Sequence, residues 1–156
     1  MKKIPLRNRK KEIIGYALID NVDFWLVNKY KWHKDSQGYA SRTYHIRGKT
    51  RHQSMHRIIL GARKGELCDH INRSPLDNRR KNLRICTASQ NMYNRGLMPS
   101  NKSGHKGIMF HYGSWTAKLK VNKKVIELGR FKMKSEAIKA YRDGVKKHHG
   151  EFARLR

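Results

Sequence analysis

Acidic side chains are scarce in this sequence: 11 Asp and Glu stand against 37 Lys and Arg, giving a formal net charge of +26 and a pI near 10.6. That excess goes far beyond what solubility requires and points to a polyanion as the partner. The charge is not gathered in a tail. Residues 1–99 carry 22 basic and 7 acidic residues and residues 100–156 carry 15 and 4, so both halves are expected to touch the polyanion. Long apolar runs are also missing. The longest, such as Ile58-Ile59-Leu60, fall well short of the roughly 18 residues a membrane span needs, so no membrane partner is expected. The basic run from Arg7 to Lys11 occupies the place where a secretory leader needs its apolar segment, which gives the expectation of a cytoplasmic protein. Cysteine is limited to Cys68 and Cys86 without a C-x-x-C pair, which excludes a cysteine-based zinc site or redox dithiol. Both read as reduced, semi-buried thiols, with proximity across a hairpin as the alternative.

What is present suffices for folded cores: hydrophobic residues make up 37% and aromatics 9% of the chain, unlike a disordered basic tail. The reading is α+β. Residues 13–20, 24–32 and 38–46 are short runs of aromatic and β-branched residues separated by turn-like pairs such as Asp20-Asn21, as in an antiparallel meander. Met55-His56-Arg57-Ile58-Ile59-Leu60 fits a short helix or a strand. Residues 66–95 then read as strand (66–71), polar loop (72–81), strand (82–86) and helix (88–95), with Thr87 and Gln90 placed as the two halves of a capping box. Residues 96–103 lose periodicity and gain Gly, Pro and Ser, so they are read as a linker between a domain at 1–95 and one at 104–156. In the second domain Trp115, Ala117, Leu119 and Val121 alternate with Thr116, Lys118 and Lys120, the period of a strand with one buried and one basic face. Strands at 107–112 and 125–131 and a helix capped by Ser135 and ending before Gly150 complete a three-stranded antiparallel sheet packed on one helix.

Asp69-His70 sets an oxygen ligand beside a base at the end of a strand. Adjacent strand residues point to opposite faces, so both can serve one site only at a strand end or distortion. A hard cation such as Mg²⁺ favours oxygen ligands, which Asn91 on the next helix could add, with Asn94 as its rival three residues on. The stretches Cys68-Asp69-His70-Ile71-Asn72, Asp77-Asn78-Arg79-Arg80-Lys81-Asn82-Leu83-Arg84 and Ser89-Gln90-Asn91-Met92-Tyr93-Asn94 together resemble the HNH motif of phage and intron homing endonucleases. The resemblance implies a ββα-metal fold, with Asp69 ligating the metal and His70 acting as general base. It further implies that Asn82 braces the hairpin loop and holds His70 in place, and that Asn91 takes the last motif position, where many members have His. An all-oxygen shell then suits Mg²⁺, or Mn²⁺, better than zinc. His56, which precedes an Arg as in family members, is read as a packing or hydrogen-bonding residue and not a catalytic one.

From Ser103-Gly104-His105-Lys106-Gly107-Ile108 through Trp115-Thr116-Ala117-Lys118-Leu119 and Leu128-Gly129-Arg130-Phe131 to Gly150-Glu151-Phe152-Ala153-Arg154-Leu155, the chain is similar to the APETALA2-type DNA-binding domain. That resemblance implies a sheet face in the major groove, with Lys106, His111, Lys118 and Lys120 facing DNA. In the nuclease part, Arg79 and Arg80 are the candidate DNA contacts. The expectation is therefore a homing-type, nicking endonuclease of duplex DNA in a bacterial host's cytoplasm, using no small-molecule cofactor and working as a monomer or weak dimer. The competing expectation is a catalytically inactive DNA-binding protein of regulatory or architectural kind.

Overall fold

The structure is a computed structural model and describes residues 1–153; Arg154 and Leu155, cited above for the APETALA2 resemblance, lie outside the described residues. The chain forms two compact units, Met1–Cys86 and Thr87–Arg156. No described helix is long and apolar enough to cross a membrane.

In the first unit, β1 (Lys2–Arg7) and β2 (Ile13–Ile19) form an antiparallel hairpin. Alternation sends Ile4, Leu6, Ala17 and Ile19 inward. The basic leader is thus partly a strand, with Lys3 and Arg7 on its outer face and the Lys2 ammonium 3.6 Å over the Phe24 ring. The expected strand at 24–32 is instead a helical turn, α1 (Phe24–Val27), because its apolar residues fall at helical spacing: Val27 is fully buried and Phe24 packs on the same core. Next come β3 (His33–Lys34), β4 (Ala40–Ile46) and β5 (Lys49–Ser54), a three-stranded sheet in that order. The segment that fitted either helix or strand is a helix, α2 (Met55–Leu60), closed by Gly61 at φ +61°. Met55 and Ile59, one turn apart, seal the core beneath Trp32 and Ala40. A two-stranded antiparallel sheet, β6 (Leu67–His70) with β7 (Leu83–Cys86), ends the unit. Cys68 and Cys86 are free thiols on neighbouring rungs of this sheet, and burial pushes the Cys86 thiol up to about 11.

The second unit opens with α3 (Ala88–Asn94), capped as expected: the Thr87 hydroxyl accepts from the Gln90 N–H at 3.2 Å and the Gln90 side chain accepts from the Thr87 N–H at 2.8 Å. It continues with β8 (Ile108–His111), β9 (Ser114–Val121) and β10 (Lys124–Phe131), an antiparallel sheet ordered β10-β9-β8, and with α4 (Lys134–His149). Ala137, Tyr141 and Val145 recur every fourth residue along α4 and bury against Ile108, Ala117 and Leu119. Ser135 does not cap this helix. Its first turn starts at Lys134, and the Met133 N–H donates to the Glu136 carboxylate at 3.2 Å.

The division between units falls at Cys86/Thr87 and not within 96–103, because α3 is built into the second unit. The Tyr93 ring stacks on His149 with centroids 3.6 Å apart, and its hydroxyl accepts the Asn122 N–H at 2.9 Å. Lys106 completes the attachment. Its ammonium donates to the carbonyls of Met92, Tyr93 and Arg95 at 3.0, 2.9 and 3.2 Å, where the α3 dipole favours a cation.

Candidate active site

The β6–β7 hairpin carries the candidate catalytic residues, and its long loop is fixed from two directions. β2 reaches it by main-chain bonds: the Leu18 N–H donates to Leu76 O and the Asn78 N–H to Leu18 O, each at 2.8 Å. Asn82 ties it internally. Its amide donates to Asp77 O at 2.7 Å and accepts from the Asn72 N–H at 2.9 Å, while its own carbonyl accepts from the Ile71 N–H at 2.8 Å. Asn82 thus bridges the loop. An atom that holds His70 belongs instead to Asn78: His70 Nε2 lies 3.2 Å from Asn78 Oδ1, and Asn78 is fully buried. An amide oxygen only accepts, so Nε2 carries the hydrogen and Nδ1 carries the lone pair.

His70 is the last residue of β6, the strand end that the adjacent Asp69-His70 pair requires. Both side chains are buried, at 8% and 4% exposure. The Tyr39 and His56 rings flank His70, with centroids 5.5 and 5.0 Å away. Burial among them pushes His70 below the ordinary histidine range, against the opposing pull of the Asn78 hydrogen bond and the Asp69 and Asp77 charges. The imidazole is therefore neutral at neutral pH, the form a general base needs. Across the sheet Asp69 pairs with Arg84, whose Nη2 is 2.8 Å from the carboxylate.

His56 is shifted further, down to about 3, first by burial and then by repulsion from His70 and Arg57. Its Nδ1 is buried without a hydrogen-bond partner. Between about pH 3 and 6.5 the unfolded chain holds a proton at this position that the folded chain does not, so stability rises with pH across that window and is lost as pH falls through it. At pH 4.5 the loss from His56 comes to about 3 kcal/mol. Denaturant midpoints measured from pH 7 to 4.5 should fall steeply for the wild type and less for His56→Leu; parallel slopes would refute the assignment.

The other candidates are distributed as follows. Asn91 and Asn94 lie on α3 in the second unit, Asn91 exposed and Asn94 buried. Arg79 is paired with Asp77 at 2.6 Å, and Arg80 with the buried Asp23 at 2.6 Å, so both brace the loop. Lys106 is not on the sheet but at the end of α3. His111 and Lys120 are exposed on β8 and β9, and Lys118 is paired with Glu127 at 3.0 Å. Trp115 packs on the core of its unit, as expected. Tyr39, His56 and Asn78 gather at His70 although sequence reading gave none of them a role there. Asn78 had one signal, its place in the polar Asp77-Asn78-Arg79 run; Tyr39 had none, since only the fold brings it near.

Among the described residues no three His, Cys, Asp or Glu side chains cluster into a metal-holding group. One carboxylate supplemented by amide oxygens nonetheless suits a hard cation that keeps several of its waters and is completed by substrate phosphate.

Residues 55–93 match the model of the HNH endonuclease family. Over 136 residues, 85% of this chain and 71% of the relative, the sequence is 28% identical to an uncharacterised HNH endonuclease of Acanthamoeba polyphaga mimivirus. No solved structure matches the chain. The chain thus carries an HNH endonuclease domain, and it is a nuclease.

Proposed function

We propose that this nuclease hydrolyses phosphodiester bonds in duplex DNA with the help of a divalent cation, one strand at each catalytic centre. The observation that carries the reading is the buried, neutral His70, whose Nε2–H is held by Asn78 and whose neighbour is the Asp69 carboxylate. In this mechanism His70 Nδ1 takes the proton of the attacking water, and the Nε2–H···Oδ1 bond keeps the ring in the productive tautomer and stabilises it once charged. Asn82 acts at one remove by fixing the loop on which Asn78 sits. Asp69, with Asn91 as the further oxygen donor implied by the family resemblance, would hold Mg²⁺ or Mn²⁺. Such a cation, when bound, supplies charge neutralisation at the phosphate and stabilisation of the leaving 3′ oxygen. Arg84, paired with the Asp69 carboxylate at 2.8 Å, holds it in orientation.

The second unit is read as an APETALA2-type DNA-binding module, supported by its three-stranded sheet backed by one helix. Its outer face, with His111, Lys118 and Lys120, would contact the duplex; lysine contacts to phosphate add affinity without base discrimination. A homing-type nicking enzyme of a phage or bacterium, acting in the host cytoplasm as a monomer or weak dimer, completes the reading.

The test is conversion of supercoiled plasmid in Mg²⁺, in Mn²⁺ and in chelator. Nicked circles should accumulate before linear DNA in either metal, and chelator should abolish both. Tight duplex binding without cleavage in any metal would leave a DNA-binding protein and remove the nuclease mechanism.

A further inference from the structure

A groove of about 810 Å³ runs through the first unit between the β1–β2 hairpin and the segment that leads into β3. Arg7, Arg9, Lys11, Lys31 and Lys34 line it, over a wall that includes Ile14, and none of its lining residues is acidic. None of these five cations enters an ion pair among the described residues. The Arg7 guanidinium donates to Lys11 O at 2.8 Å. The groove is preformed, because its two sides are joined by backbone: the Arg7 N–H donates to Trp32 O at 2.8 Å beside the Leu6–Trp32 bridge. Its cations come from separate stretches of chain, residues 7–11 and 31–34. One small anion would leave most of them without a partner, whereas a linear polyanion can meet them in turn.

One lining residue, Lys34, approaches the catalytic loop. The Lys34 stem and the Pro75 ring pack around Gly38, where a Cβ would sit 3.7 Å from Lys34 Cε and 3.4 Å from Pro75 Cγ. The next residue, Tyr39, lies against His70.

We infer that this groove binds the sugar–phosphate backbone of duplex DNA next to the phosphate that is cut, as a contact separate from the second unit. The inference rests on the nuclease reading for its choice of DNA. The exposed Ile14 gives the deoxyribose faces an apolar contact between phosphate-binding cations.

The test uses the full chain carrying Arg9→Gln, Lys31→Gln and Lys34→Gln, all at exposed positions. The comparison is Lys139→Gln, Lys146→Gln and Lys147→Gln on α4, which removes the same charge at exposed positions. Affinity for a labelled duplex is measured in chelator over a range of salt. The groove variant should lower the slope of log K against log salt by about 2 to 3, near 0.9 per lost phosphate contact. It should also raise KM for DNA at least about tenfold with kcat little changed, and the α4 variant should do much less. If the triple variant melts below the wild type, the three single variants replace it, each expected to lower the slope by about 0.9. A wild-type slope in the groove variant, an equal loss in the α4 variant, or tighter groove-dependent binding to duplex RNA overturns the inference. Groove-dependent binding by a wild type that never cleaves would keep the inference and defeat the nuclease mechanism, whereas cleavage with a groove-independent slope does the reverse.

Discussion

His70→Ala should lower metal-dependent strand cleavage about 10³-fold, within the range for loss of a general base, while duplex affinity measured in chelator stays within about twofold of wild type. The asymmetry follows from where the side chain sits. At 4% exposure His70 has little surface to offer DNA, but its ring is locked by Asn78 in the neutral tautomer that accepts a proton. The pH profile carries the same argument. Burial holds His70 below the ordinary value of 6.5, so the unprotonated base predominates at neutral pH. The midpoint of the acid limb of the rate profile should lie below 6.5. Asn78→Leu keeps the volume but removes the acceptor, and should lower kcat and move the acid limb. If His70→Ala cleaves like the wild type, or if the limb sits above 6.5 in the wild type, the assignment of the base is lost.

Gly107→Ala should unfold the second unit. Gly107 adopts φ +71°, and a Cβ there would overlap both the Lys118 carbonyl oxygen and the Tyr141 ring. Neither can yield easily. Lys118 is held in mid-strand, its own N–H donating to Gly107 O at 2.8 Å, and Tyr141 is buried under the sheet. Left-handed backbone on a non-glycine residue and forced overpacking together cost about 3 to 5 kcal/mol. That is a large fraction of what a unit of this size possesses. Thermal unfolding of the full chain should show the transition of the second unit lowered or gone while that of the first persists. A melt indistinguishable from wild type would mean that the Lys118–Gly107–Tyr141 packing is not as described.

The elements legible in the sequence were those whose signals are local. The Thr87/Gln90 box announced α3, and strict alternation from Trp115 to Val121 announced β9, because capping and pleating act over two to four residues. β1 was hidden because only Ile4 and Leu6 face inward from a run otherwise made of Lys, Pro and Arg. Residues 24–32 misled because Phe24, Trp25, Leu26 and Val27 have the composition of a strand, and only their burial on the core decided for a helical turn. At the active site the Asp69-His70 pair was visible in the sequence. The partner of His70 was not, since Asn78 is brought to it by loop closure onto Leu18, some 60 residues earlier in the chain. Lys106, read as a DNA contact, shows the same limit: its charge was legible, but the carbonyls it meets belong to a helix ending about ten residues before it.

Helix α3, last element of the stretch that matches the HNH family, folds with the unit that follows it. Exchange of the C-terminal part between enzymes, whether by recombination or by design, therefore cannot be a clean swap at the Gly- and Pro-containing stretch after Arg95. A graft joined there would inherit a helix shaped for a different host, with Tyr93 facing a foreign residue in place of His149 and no ammonium at its carbonyl end. Viable chimeras should instead cross over between Cys86 and Thr87, or carry Tyr93, Lys106, Asn122 and His149 together as an inherited set.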